Sequence, residues 1–185
     1  SVLELGCARG YILKRLQDAG IPCHGLEVSR HCYLTRACEG IFNVDLCRTP
    51  WMFLDIIPYD QRPVPTWDLC ISMATFEHIP EQFLPGILKE MKRTTTRGLH
   101  GIDFGANDDG FDKTHCTLRD RNFWRNIFDQ HGLQTHEIVD KEELEKGEIP
   151  PDILKGDGKI KLNIGCFTTQ FHHGWQNIDI LDLAG

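Results

Sequence analysis

Apolar and polar positions along the chain switch repeatedly between two periods. Residues 1–5 and 22–28 are short apolar runs that predict buried strands, and residues 41–46, 67–73, 98–104 and 133–139 repeat the signature. Between the first two, Tyr11, Ile12, Leu16 and Ala19 sit among charged neighbours and the stretch stops at Gly20, which predicts an amphipathic helix over 11–19. Ser29 offers a cap for a second helix running to Cys38 and closed by Gly40. Residues 81–95 carry Leu84, Ile87, Leu88 and Met91 at helical spacing, with Pro85 marking where the regular helix begins. A last helix is expected from Leu118 or Arg119 to His131, ahead of Gly132. Residues 48–66, rich in proline and aromatics, predict a loop or irregular helix, and the Gly/Asp/Asn-rich stretch 105–113 predicts a loop. Strands separated by helices in this way imply an α/β chain: a Rossmann-like, doubly wound, mostly parallel sheet with helices on both faces.

That rhythm breaks at residues 140–158, which are charged, carry Pro150-Pro151 and lack a sustained apolar face. The chain is therefore expected to comprise a domain over 1–139, a linker over 140–158, and a further segment over 159–185 with two more strand candidates. A length of 185 residues accommodates one ordinary domain and part of another. The net charge of −7 argues against a broad nucleic-acid footprint and favours a small or neutral substrate. No apolar run approaches the length of a membrane span and no secretory leader pattern is present, so a cytoplasmic location is expected. The eight cysteines form no C-x-x-C pair and several lie inside strand-like runs, as reduced, buried thiols would. No metal site is expected, since His24, His31, Cys32 and Cys38 match no common ligand spacing.

The chemistry concentrates where the first strand ends, in Glu4-Leu5-Gly6-Cys7-Ala8-Arg9-Gly10. A strand, a tight glycine turn and a helix start allow close backbone approach to a small polar cofactor. Dinucleotide enzymes use G-x-G-x-x-G there, whereas Ala8 occupies the middle position here. Glu27 closes the second strand about twenty residues on, where an acid accepts ribose hydroxyls, and Asp45 closes the third.

Together with Asp68-Leu69-Cys70-Ile71-Ser72-Met73 and Phe76-Glu77-His78-Ile79-Pro80, these residues resemble the class I S-adenosylmethionine-dependent methyltransferases, with their E/D-x-G-x-x-x-G motif. The resemblance covers about residues 1–139 and implies S-adenosylmethionine as cofactor. It places Glu4, Gly6, Cys7, Ala8 and Gly10 in the cofactor loop, Glu27 on the ribose, Asp45 and Leu46 by the adenine, and Ser72 and Met73 beneath the cofactor. Asp112-Lys113-Thr114-His115-Cys116-Thr117-Leu118-Arg119, followed by Phe123-Trp124, is similar to a stretch of bacterial methyltransferases associated with surface-sugar and glycan synthesis. A small-molecule or glycan acceptor is implied. A histidine near neutrality suits proton removal from such an acceptor, which makes His78 and His115 the candidate bases. His100 and His131 read as structural. The rival readings are a nicotinamide-type oxidoreductase and a non-catalytic binding module.

Leu162-Asn163-Ile164-Gly165-Cys166 and Gly174-Trp175-Gln176-Asn177-Ile178-Asp179 resemble a second methyltransferase start, with Phe167 where that variant has glycine. Residues 159–185 are thus expected to open a second methyltransferase-like domain, the alternative being the last strand of the first. A fold truncated at both ends, within a longer multidomain chain, is the corresponding expectation.

Overall fold

In the computed structural model, which describes residues 1–51, 67–103 and 112–133, five strands form one parallel sheet. They are β1 (Val2–Leu5), β2 (Cys23–Glu27), β3 (Ile41–Asn43), β4 (Leu69–Met73) and β5 (Gly98–Gly101). Their order is β3-β2-β1-β4-β5. In the central strand, Glu4 lies opposite Gly25 on one side and Ile71 on the other. The chain thus runs outward from β1 to β3, then crosses back to β4 and β5. A reversal of that kind opens a crevice outside the carboxyl ends of the strands at the switch, here β1 and β4. Because every pairing is parallel, the loops that follow all five strands leave from that same edge.

Alternation along β1 sends Leu3 and Leu5 to one face and Val2 and Glu4 to the other. Leu3 and Leu5, both fully buried, join Leu26, Cys70 and the apolar stripe of α3 (Leu84–Thr94), in which Leu84, Ile87, Leu88 and Met91 are all buried. On the opposite face α1 (Tyr11–Asp18) buries Leu13 and Leu16. Gly25 is a glycine for a packing reason there: a Cβ would stand 2.4 Å from Leu13 and 2.5 Å from the Cys7 sulfur. The last helix, α4 (Arg121–Gln130), starts on Asp120, whose carboxylate accepts the Phe123 N–H at 2.8 Å, and buries Trp124 against Phe76.

The expected elements form within the described residues, with shorter bounds. The fourth strand begins at Leu69, and Trp67 makes only an isolated bridge to Thr95. The helix expected over 81–95 opens with one tight 3-10 turn, Glu81–Phe83, and becomes regular at Leu84, beside Pro85. The second helix is much shorter than expected. Ser29 caps it as anticipated, accepting from Cys32, yet α2 spans only Arg30–Leu34. The Thr35 hydroxyl returns to the His31 carbonyl and the Ala37 N–H goes to Arg9, so local side-chain and loop bonds replace the next turn. The sixth strand beyond Leu133, the linker and the second glycine segment lie outside the described residues. So do the greater parts of the 48–66 and 105–113 stretches.

Candidate active site

The loop after β1 is held in left-handed conformations at Gly6 (φ 65°), Ala8 (φ 47°) and Gly10 (φ 74°). Its first two N–H groups, from Gly6 and Cys7, both donate to the Leu26 carbonyl, which ties the turn to the end of β2. Across the sheet, the Thr75 hydroxyl reaches the carbonyls of Leu5 and Met73 at 3.2 and 3.1 Å. A Cβ at Gly6 would stand 2.5 Å from that hydroxyl. Gly20 has a similar φ of 75° with open space around it. Gly20→Ala should therefore cost about 1 kcal/mol from backbone strain, and Gly6→Ala about 2–3 kcal/mol, because Thr75 must also give way. Denaturant unfolding of the two variants checks the difference.

Glu27 ends β2 and turns its carboxylate back over the loop. One oxygen accepts the Ala8 N–H at 2.7 Å and the other the Ser29 N–H at 2.6 Å. Glu4 lies on the α1 face of β1, 4% exposed, with its Oε2 unpartnered among the described residues. Burial, reinforced by the charge of Glu27, pushes the Glu4 carboxyl up to about 8. Cys7 is buried beside them, and that burial pushes its thiol well above the ordinary thiol range.

Asp45 differs from its expected position. β3 stops at Asn43, so Asp45 lies in the following loop, where it accepts the Cys47 N–H at 3.0 Å and approaches Arg48 at 3.4 Å. The Asn43 side chain ends the strand early by donating to the carbonyls of Glu27 and Val28. Leu46 is buried and its carbonyl accepts from the Trp51 indole. Ser72 is fully buried and bonded to His100, while Met73 ends β4 half-buried. All the loop acids and glycines leave the sheet along one edge.

The other half of that edge carries the histidines. Beyond β4, Phe76–His78 forms a 3-10 turn, and the stretch after β5 returns to it. The N–H groups of Cys116 and Thr117 both donate to the Glu77 carbonyl, and the Thr117 hydroxyl donates to Ile79. That strapping brings His78 and His115 together, with ring centroids 4.7 Å apart at 65°. His100 and His131 are structural: the first is wedged edge-on against Phe76 and the second bonds Ile127 at the end of α4. Burial holds His100 neutral, its pKa lowered to about 4. Glu77, buried at 1% exposure, escaped notice in the sequence as a site residue, and its carboxyl is pushed up by that burial. The only advance signal was an acid next to His78 after an apolar strand.

No protein-family profile matches this chain, and no curated protein sequence does. Solved structures do. A SAM-dependent methyltransferase from Archaeoglobus fulgidus superposes with a TM-score of 0.54 at 19% identity, over 71% of this chain and 59% of that one. A complex of the Haloferax volcanii Trm112 methyltransferase activator with a methyltransferase gives 0.53 at 19% identity, over 74% and 62%. A TehB-like SAM-dependent methyltransferase from Corynebacterium glutamicum gives 0.50 at 17% identity, over 70% and 63%. The chain has the class I methyltransferase fold. It spans about three fifths of the length of these structures. Among the described residues, no helix is long and apolar enough to cross a membrane.

Proposed function

We propose that this chain binds S-adenosylmethionine and transfers its methyl group to a small-molecule or glycan acceptor. The observation that carries the reading is the Glu27 carboxylate, which reaches from the end of β2 over a left-handed glycine loop, beside the buried and unpartnered oxygen of Glu4. Two carboxylates in so confined a space fit a ligand that brings positive charge along with a sugar diol. They fit a dinucleotide pyrophosphate poorly, because the Glu27 carboxylate would meet its charge and the buried Glu4 would have to stay protonated beside it. When bound, S-adenosylmethionine supplies a methyl group already activated by its sulfonium centre. The protein's share is to hold, orient and deprotonate. Gly6, Cys7, Ala8 and Gly10 offer close backbone approach, Glu27 accepts the ribose hydroxyls, Asp45 and Leu46 border the adenine, and Ser72 and Met73 form the floor. His78 and His115, on the other half of the edge, are placed to receive the acceptor's proton. In this proposal residues 159–185 belong to a second methyltransferase-like domain, and the protein is cytoplasmic.

Thermal stabilisation by S-adenosylmethionine, with none from NAD, is the expected result; stabilisation by NAD alone would sink the proposal. Glu27→Ala should weaken S-adenosylmethionine binding about tenfold to a hundredfold, or about 1–3 kcal/mol, through lost charge-assisted bonds. Calorimetry of the folded variant checks it, and an unchanged affinity removes Glu27 from the site.

A further inference from the structure

We propose that Glu77, His78 and His115 hold a divalent transition-metal ion of the zinc class at the carboxyl edge of the sheet. One ligand atom from each of the three lies within 4.8 Å of the others. Metal–ligand bonds of about 2.0–2.1 Å set tetrahedral ligand edges near 3.3 Å, so the three must close by roughly 1.5 Å at most. Rotation of two half-buried imidazoles covers that distance.

Two further features point to an ion rather than to a chance cluster. The first is the buried Glu77 carboxylate. Its Oε1 accepts the Asp103 N–H at 3.2 Å, while Oε2, shielded from water, is unpartnered among the described residues. A buried acceptor left unmatched is costly, and a cation supplies the missing partner. The second is the tautomer of His78. Thr114 Oγ1 lies 2.6 Å from Asp112 Oδ1 and 2.8 Å from His78 Nδ1. A carboxylate only accepts, so the single hydroxyl proton goes to Asp112, and Oγ1 must accept from His78 Nδ1–H. This leaves the lone pair on Nε2, as a ligating imidazole requires, and the carboxylate–hydroxyl–imidazole relay is the support that metal-bound histidines commonly have. Asp112 Oδ2 is also 3.8 Å from His115 Nε2.

Two imidazoles and one carboxylate select zinc, cobalt or ferrous iron over magnesium and calcium, which prefer all-oxygen ligand sets. Three protein ligands leave a position open, and both histidines are partly exposed, so an oxygen of the acceptor can complete the shell. Bound there, a hydroxyl would lose its proton to water near neutral pH, a route that takes the place of direct proton removal by either histidine. That role rests on the methyl-transfer reading above; the ion site itself does not.

The test uses the untagged chain, stripped with a chelator and titrated with Co²⁺ as a coloured stand-in for zinc. Visible bands should saturate at one Co²⁺ per chain and vanish when Zn²⁺ is added. His78→Ala, His115→Ala and Glu77→Gln should each weaken Zn²⁺ binding at least tenfold, and Thr114→Val about tenfold, through the lost relay. The proposal is overturned if the wild type shows no saturable band. It is equally overturned if the bands survive both histidine substitutions, since the cysteines would then be the ligands. S-adenosylmethionine affinity is measured separately on the stripped protein. Its loss beside an intact metal site would count against methyl transfer and not against the ion.

Discussion

Between pH 6.5 and 8 Glu4 alone should cost the chain about 2 kcal/mol of stability, and Glu4→Gln should remove that part of the loss. The Glu4 carboxyl, raised from 4.5 to about 8 in the fold, keeps its proton over a range in which the unfolded chain has released it. Its contribution is therefore complete below pH 4.5 and gone above pH 8, because the unfolded state binds fewer protons throughout that window. His100 acts in the opposite sense. Burial lowers it from 6.5 to about 4, so stability rises with pH until 6.5. The two slopes offset below pH 6.5 and leave Glu4 dominant above it; Glu77, also shifted up by burial, adds in the same direction. Taken as the difference between wild type and Glu4→Gln from pH 4 to 8.5, the full effect is about 5 kcal/mol at 1.36 kcal/mol per pH unit. Denaturant melts across that range measure it, and parallel curves for the two proteins would show that Glu4 ionises normally.

Replacing His115 with alanine should lower methyl transfer by about 10²–10⁴-fold while leaving S-adenosylmethionine affinity within about twofold, the range general-base removal gives. The expectation follows from the proposed role of the edge beyond β4, where His115 packs against His78. A base and a metal ligand predict the same loss of rate and differ in its companions. If His115 acts as the base, the rate falls while the metal content is unchanged. If it is a ligand, activity tracks bound metal across variants, including Thr114→Val. A variant that transfers methyl groups at the wild-type rate would exclude His115 from both roles.

The left-handed glycine loop after β1 and the acid at the end of β2 were legible in the sequence. Gly6 and Gly10 are glycines because their backbones are left-handed, and Glu27 follows a strand whose length fixes its distance from the loop. The early ends of α2 and β3 were not legible. They depend on the Thr35 hydroxyl, the Ala37 N–H and the Asn43 amide choosing partners that propensity does not encode. Least visible was the grouping of Glu77, His78 and His115. His115 lies almost forty positions beyond the other two, and the Cys116 and Thr117 backbone bonds to the Glu77 carbonyl bring it to them. Backbone bonds of this kind have no residue signature. His100 was read correctly as structural because a mid-strand position leaves an imidazole facing the packed layers.

The bonds from Ala8 and Ser29 to Glu27 also bear on how fast a ligand would enter. Each fixes a loop amide before any ligand arrives, so the turn is already shaped and little chain entropy remains to be lost on encounter. Association at such a rigid cradle would be limited by diffusion and orientation, and selectivity among competing ligands would then reside in their dissociation rates. Shortening the side chain in Glu27→Asp keeps the charge but not the reach to both amides. Its signature would be slower capture as well as faster release, as the loop would have to order around each arriving molecule.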